Sequence, residues 1–263
     1  TPIAVLIRNR EADIAAYERF LSHNQLTDEI NRRLQTMEEV EISDLYRKSA
    51  EIQSLIMGAD LPPELAEAIS RAYADLSGAA GGPVKVALRS SAIGEDAADT
   101  SFAGQYHSEL NVTAENLHVV YKEVLASKYA LTAVSYRLHK GLRDEDVAMC
   151  VGCMAMVDSV CGGVMYSRDP TDIRRDAIFI NGVHGLAKSV VDGTVTPDLW
   201  IISRGEPLAI RQREIRNKGQ KAVCLPEEGV RMQADAQGTE PALTDDQALE
   251  LARIALVLEE HFN

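Results

Sequence analysis

Cysteine is scarce in this chain, with four in 263 residues. That is too few for a disulfide framework at this length and fits a reducing compartment. Long apolar runs are missing too: none approaches the roughly 20 residues that a membrane-spanning helix needs. Nothing near the start reads as a signal peptide, because Arg8, Arg10, Glu11 and Asp13 interrupt any apolar stretch. Basic residues are in deficit, 27 Lys and Arg against 40 Asp and Glu. The resulting net charge of −13 argues against nucleic acid or an anionic membrane as partner. No internal repeat or low-complexity segment is present. The expected location is the cytoplasm. The chain opens on Thr1-Pro2 without a methionine and stops directly after a strongly helical stretch. The expectation is a domain of a longer polypeptide.

What is present concentrates in residues 86–112. A β-type alternation (Val84, Val86, Leu88) ends in a basic residue, Arg89. Ser90, Ser91, Ala92, Ile93 and Gly94 follow, then Glu95-Asp96, then Thr100 to Gly104. A guanidinium fork, several hydroxyls and glycine-permitted backbone N–H groups suit a polyphosphate. By chemistry alone a solvated turn between two strands explains the stretch equally well.

The wording of three blocks resembles one family, the nucleotide-binding domain of phosphoenolpyruvate synthase (pyruvate, water dikinase) and pyruvate phosphate dikinase. Val86, Arg89, Ser90, Ser91, Ala92, Glu95, Asp96, Ser101, Phe102, Ala103, Gly104 and Gln105 match the family's first block. Residues 163–170, Gly-Val-Met-Tyr-Ser-Arg-Asp-Pro, are similar to its G-V-M-F-T-x-D-P. Residues 185–198, running from Gly185-Leu186 to Pro197-Asp198, are similar to its G-L-G-E-x-V-V-x-G-x-V-x-P-D. The resemblance covers almost the whole chain and is weakest before residue 80.

Periodicity predicts helices over 11–22, 43–57, 62–77 and, as one long element, 113–140. Strands are expected at 84–89, around 106–112, and at 147–157, 162–167, 177–182 and 198–203. The last helix starts at a capping box, Thr244-Asp245-Asp246-Gln247, with acidic residues in its first turn. Leu251, Ile254/Ala255, Leu258 and Phe262 are its expected buried face. The order suits a mixed α+β (α/β) protein. The resemblance implies an ATP-grasp-like fold with two sheet-containing lobes and ATP between them. Residues 1–82 are then a helical N-terminal part, 83–145 the phosphate side of one lobe, and 146–263 the second lobe.

The resemblance also implies the site. Arg89 stabilises charge on the transferring phosphates and is the expected catalytic residue. Ser90, Ser91, Ser101 and Gly104 cover the phosphates, and Ser167 and Asp169 shape the opposite wall. Backbone groups of Cys153, Met154 or Ala155 hold the adenine edge. Two departures stand out: the family's glutamine is Gly152 here, and its Gly-Glu pair is Ala187-Lys188. Lys188, Arg168, Arg174 and Arg175 read first as solvated charges, and His184 as structural. Cys150 and Cys153 form C-x-x-C inside an apolar run. Residues three apart on a strand face opposite sides, so they are expected to be buried free thiols rather than a metal site.

In function, the resemblance implies an ATP-dependent phosphotransferase that uses ATP and Mg²⁺. It passes phosphate to a histidine on a separate domain, and from there to pyruvate on a third. None of His23, His107, His118, His139, His184 and His261 has the Thr-Ser-His context of that carrier. A Gly-Gly-Lys motif is expected before residue 1 and the acidic metal ligands after residue 263, so the fragment alone is expected to be inactive. The alternatives are a related dikinase or antibiotic phosphotransferase with another acceptor, or a divergent non-catalytic nucleotide-binding module.

Overall fold

The computed structural model describes residues 10–36, 42–92, 104–172, 174–205, 207–225 and 229–262, with side chains from residue 14 onward. The chain forms two compact units, Thr1–Met156 and Val157–Asn263.

In the first unit, helices α1 (Arg10–His23), α2 (Leu26–Gln35), α3 (Ile42–Gly58) and α4 (Pro63–Ala80) precede strands β1 (Val86–Ala92) and β2 (Ser108–Val112). Helices α5 (Leu117–Ser127) and α6 (Leu131–Lys140) follow, then a short 3₁₀ turn at Asp144–Asp146 and strand β3 (Met149–Ala155). Proline starts α4, where a missing N–H costs nothing, and Gly81 ends it in the left-handed region. The sheet order is β2-β1-β3, antiparallel throughout. Val86, Leu88 and Ala92 of β1 and Met149 and Cys153 of β3 are buried in one cluster with residues of α1–α5. The sheet therefore has one face under helices. Strand β3 belongs to this unit because it pairs with β1 along its whole length. The unit boundary thus falls after β3.

The long helix expected over 113–140 is two helices. No proline or glycine breaks it; tertiary hydrogen bonds do. The Tyr129 carbonyl accepts from Ser49 Oγ at 2.6 Å, and the Lys128 carbonyl from Arg137 Nη1 at 2.5 Å. Ala130 turns to ψ 146° and caps α6. Around this break lies a buried polar network. Lys128 Nζ donates to Asp144 Oδ2 (3.0 Å) and the Asp144 carbonyl (3.1 Å), and Tyr129 Oη donates to Asp144 Oδ2 (2.9 Å). Tyr17 and Tyr129 share a hydroxyl contact of 2.9 Å. Burial pushes the Lys128 ammonium down to about 8 despite the opposing pull of Asp144, and pushes both tyrosines up.

The second unit holds β4 (Cys161–Tyr166), β5 (Ala177–His184), the single turn α7 (Lys188–Val191), β6 (Asp198–Ser203), β7 (Ala209–Glu214), the hairpin β8 (Gln220–Leu225) with β9 (Gly229–Ala234), and α8 (Asp245–Phe262). Its main sheet runs β4-β5-β6-β7, all antiparallel. The capping box of α8 forms as the sequence expects: Thr244 N donates to Gln247 Oε1 at 2.9 Å, and Gln247 N to Thr244 Oγ1 at 3.2 Å. The expected buried face of α8 is met in part. Ala255 is buried and Leu251 packs against the same cluster, joined by Ala248 and Ala252, whereas Ile254 and Leu258 are exposed and Phe262 is 81% exposed. Small side chains let the helix lie close to β6, where Trp200 is fully buried against them. The indole N–H reaches Asp245 Oδ1 at 3.2 Å. No described helix is long and apolar enough to cross a membrane. The fold is mixed α/β.

Candidate functional site

Strand pleating sorts the residues of β1 onto two faces. Ala87, Arg89 and Ser91 share the face away from the helical core. Ser90 shares the other face with Leu88 and Ala92, so of the two adjacent serines only Ser91 stands beside Arg89. The alternation Leu88, Ser90, Ala92 carries this signal in the sequence itself.

Arg89 is exposed, with Gly152 of β3 and Ser108 of β2 directly opposite on its two sides. Cross-strand partners point to the same face. A glycine and a small hydroxyl are thus the cross-strand neighbours of the guanidinium. Among the described residues no carboxylate pairs with it. Gly152, where the family has glutamine, is thus the immediate neighbour of Arg89, a relation that only the register reveals.

The same register decides what β3 offers. Met156 N donates to the Lys85 carbonyl at 2.8 Å, which makes 85/156 a hydrogen-bonded pair. Hydrogen-bonded pairs then recur at 87/154, 89/152 and 91/150. Met154 spends its backbone groups on β1. Those of Val151, Cys153 and Ala155 point to the outer edge, where no described strand pairs with β3. The Cys153 side chain faces the helical core with Leu88, and burial pushes its thiol up to about 11. Cys150, also buried, stands on the face of Ser91. The two thiols of the C-x-x-C occupy opposite faces, as strand alternation expects.

Ser101 lies outside the described residues, as do Glu95, Asp96, Phe102 and Ala103. Gly104 is exposed in a turn just before β2, with φ +73°.

In the second unit, β4 ends in the loop carrying Ser167 and Asp169. The Asp169 carboxylate accepts from Thr171 N (2.8 Å), Thr171 Oγ1 (2.6 Å), Asp172 N (3.2 Å) and Arg175 Nη1 (3.2 Å). The Thr171 hydroxyl is the main reason that this carboxyl is held below its usual range. Asp169 therefore shapes its loop from within. Arg204 holds the same loop from outside. Its guanidinium grips Glu259 through two bonds of 2.7 and 3.0 Å and donates to the Ser167 carbonyl. Held first by Arg204 and then by the Ser167 hydroxyl, the Glu259 carboxyl is drawn down to about 2. Arg204 and Glu259 lie 55 residues apart in sequence, and no local pattern marks them as partners.

The glycines of the second and third blocks are structural in their geometry. A side chain at Gly163 would meet the Asn181 carbonyl oxygen at 2.0 Å. At Gly185, already at φ +73°, it would meet the Ala222 carbonyl oxygen at 2.3 Å. Lys188 pairs with Asp192 at 2.8 Å on the surface. Asp198 is fully buried. Its Oδ1 accepts from Lys218 Nζ (2.6 Å) and Arg216 N (2.8 Å), and its Oδ2 from Ala242 N (2.8 Å). Lys218 is fully buried as well. Among the described residues no three His, Cys, Asp or Glu side chains converge to hold a metal ion.

Comparison with known proteins agrees with the motifs. The family described as "Pyruvate phosphate dikinase, AMP/ATP-binding domain" matches residues 13–263. Phosphoenolpyruvate synthase of Aquifex aeolicus is 36% identical over 259 residues, covering 94% of this chain and 30% of that protein. The enzyme of the same name from Pseudomonas aeruginosa is 34% identical over 264 residues, covering 94% of this chain and 33% of that protein. The one from Pyrococcus furiosus is 35% identical over 236 residues, covering 85% and 29%. The chain thus spans about a third of the length of these relatives. Three motif blocks in order and a match over nearly the full length have one meaning: this chain belongs to the pyruvate phosphate dikinase AMP/ATP-binding domain family.

Proposed function

We propose that this chain is the ATP-binding domain of a phosphoenolpyruvate synthase-like phosphotransferase, with an ATP-grasp-like way of holding the nucleotide. The observation that carries the reading is Arg89. It is an exposed guanidinium without a carboxylate partner among the described residues, flanked by Gly152 and Ser108 on the face of β1 away from the helical core. A guanidinium kept free of internal partners is suited to phosphate oxygens, which it meets with a planar fork of donors.

In this reading Arg89 neutralises charge that builds on the transferring phosphoryl group, the dominant contribution in phosphoryl transfer. Ser91 stands beside it, and Ser101 and Gly104 belong to the covering loop. Ser90 lies on the face of β1 opposite Arg89. Cys153 and Ala155 present backbone donors and acceptors to the adenine edge, a contact that does not depend on side-chain identity. Met154 lends its side chain, which shares a face with Ala87. Ser167 and Asp169 act through the loop that Arg204 and Glu259 hold. ATP supplies the phosphoryl group; its magnesium takes its ligands from outside the described residues. The acceptor is a histidine on another domain of the longer protein, which hands the phosphate to a pyruvate-binding domain.

A second reading, a module that binds nucleotide without transferring phosphate, is favoured by Gly152 and by the closed Lys188–Asp192 pair. One experiment separates the two. In the full-length protein, phosphorylation of the carrier histidine by ATP is measured for wild type, Arg89→Ala and Arg89→Lys. The transferase reading expects both variants to lose roughly 10²–10³ in rate, about 2.7–4 kcal/mol of barrier, with unchanged melting. Near-wild-type rates in Arg89→Ala overturn the role of Arg89. ATP binding by wild type without any phosphohistidine supports the binding module.

A further inference from the structure

Outside the β1 face, the second unit places a thiol, an imidazole and a buried carboxylate side by side. Cys161 opens β4 and His184 closes β5, and the two are directly opposite in the antiparallel register. Gly185 N donates to the Val160 carbonyl at 2.9 Å, so 160/185 is a hydrogen-bonded pair and 161/184 a non-hydrogen-bonded one. In such pairs the side chains share a face and come closest, with Cβ atoms about 4.5–5.5 Å apart. Behind the imidazole, His184 Nδ1 lies 2.5 Å from Asp235 Oδ2. The Asp235 side chain is 1% exposed, and its other oxygen accepts from Gln237 N at 3.2 Å. An ionised carboxylate only accepts, so in the neutral ring Nδ1 carries the hydrogen and Nε2 keeps a free lone pair. The other charges nearby are Lys221, which adds a favourable positive field at Asp235, and the Lys188–Asp192 pair on α7.

We infer that Cys161 is a thiol-exchange site, with His184 as its base and Asp235 as the residue that positions His184. The chemical class of its reaction partner is a low-molecular-weight disulfide. The Cys161 proton passes to His184 Nε2, and the sulfur attacks one disulfide sulfur. A Cys161–S–S–R bond forms, the original S–S bond breaks, and the departing thiolate takes the proton back from the imidazolium. No further oxidant or reductant enters. The other three thiols differ: Cys150 and Cys153 are buried, and Cys224, part-buried like Cys161, is on β8 opposite Val230. The site is independent of how the nucleotide is held. It is nevertheless continuous in chain with two motif blocks, since Gly162-Gly163 follows Cys161 and Gly185-Leu186 follows His184.

The test is reaction of the native protein with a chromogenic aromatic disulfide, dithiobis-nitrobenzoate, with the modified peptides mapped over time. The expected first adduct is on Cys161, forming about a hundredfold faster than on Cys224, the low end for a positioned base. His184→Gln should slow the Cys161 adduct by a similar factor while leaving the Cys224 rate and the melting temperature in place. Cys161→Ser should abolish the fast phase. Cys224 reacting first in the wild type overturns the inference, and that comparison needs no variant. A folded His184→Gln protein with an unchanged Cys161 rate overturns the role of the imidazole.

Discussion

Asp198→Asn is the perturbation that separates the architecture of the third motif block from its chemistry. The Asp198 carboxylate serves three donors, Lys218 Nζ, Arg216 N and Ala242 N, at 2.6–2.8 Å, and neither it nor Lys218 has exposed surface. The asparagine keeps one acceptor oxygen. Its NH₂ group then confronts a donor, and Lys218 stays buried without a counter-charge. Breaking a buried pair from one side costs about 3–5 kcal/mol. For a chain of this size each kcal/mol shifts melting by roughly 2–4 °C, so the expected drop is on the order of 10 °C. Thermal unfolding followed by circular dichroism reads it. The double variant Asp198→Asn with Lys218→Met removes the stranded ammonium and should recover roughly 1–3 kcal/mol of the loss. A single variant that melts within about 1 kcal/mol of wild type, or a double variant with no recovery, refutes the reasoning.

Two further perturbations follow from the buried charges. Lys128 titrates near 8 in the fold and near 10.5 when unfolded, so between these values the unfolded chain holds more protons. Stability should therefore rise with pH from about 8 to 10, by on the order of 2 kcal/mol in urea titrations, and Lys128→Met should flatten that rise. Above pH 10 the buried Tyr17 and Tyr129 hydroxyls act in the opposite sense, because there the folded state keeps the extra protons. Glu259 is the reverse case: its carboxyl is depressed from 4.5 to about 2, so its contribution is whole above 4.5 and is lost as pH falls toward 2. Glu259→Gln should lose stability at neutral pH and show a shallower acid-unfolding profile than wild type.

Much of this was legible in the sequence, for identifiable reasons. Strand β6 falls at 198–203 as expected, because a run of Leu, Trp and Ile between Asp198 and Ser203 admits little else. The start of α8 was fixed by a capping box whose two bonds both form. Strands β7 and β9 were missed because their residues are largely polar and exposed (Arg211, Gln212 and Arg213; Arg231, Met232, Gln233 and Ala234), so no alternation marks them. The break at Lys128–Ala130 carries no breaker residue; Ser49 and Arg137 make it from a distance. On α8 the buried Ala248 and Ala252 were hidden by larger apolar residues that remain exposed, while Ala255 was expected. At the candidate site, Arg89 was visible as a strand-end cation, but its neighbours Gly152 and Ser108 emerge only from register. The clamps Asp198–Lys218 and Arg204–Glu259 join residues 20 and 55 positions apart, which no local motif connects.

The central claim is that β1 and the outer edge of β3 hold the nucleotide. Hydrogen–deuterium exchange on the full-length protein, with and without ATP and Mg²⁺, tests it most directly. Peptides spanning 86–92 and 149–156 should gain protection on ATP addition, and Arg89→Ala should abolish the gain at saturating wild-type concentrations. Protection that appears only elsewhere, with both segments unchanged while ATP is demonstrably bound, would contradict it.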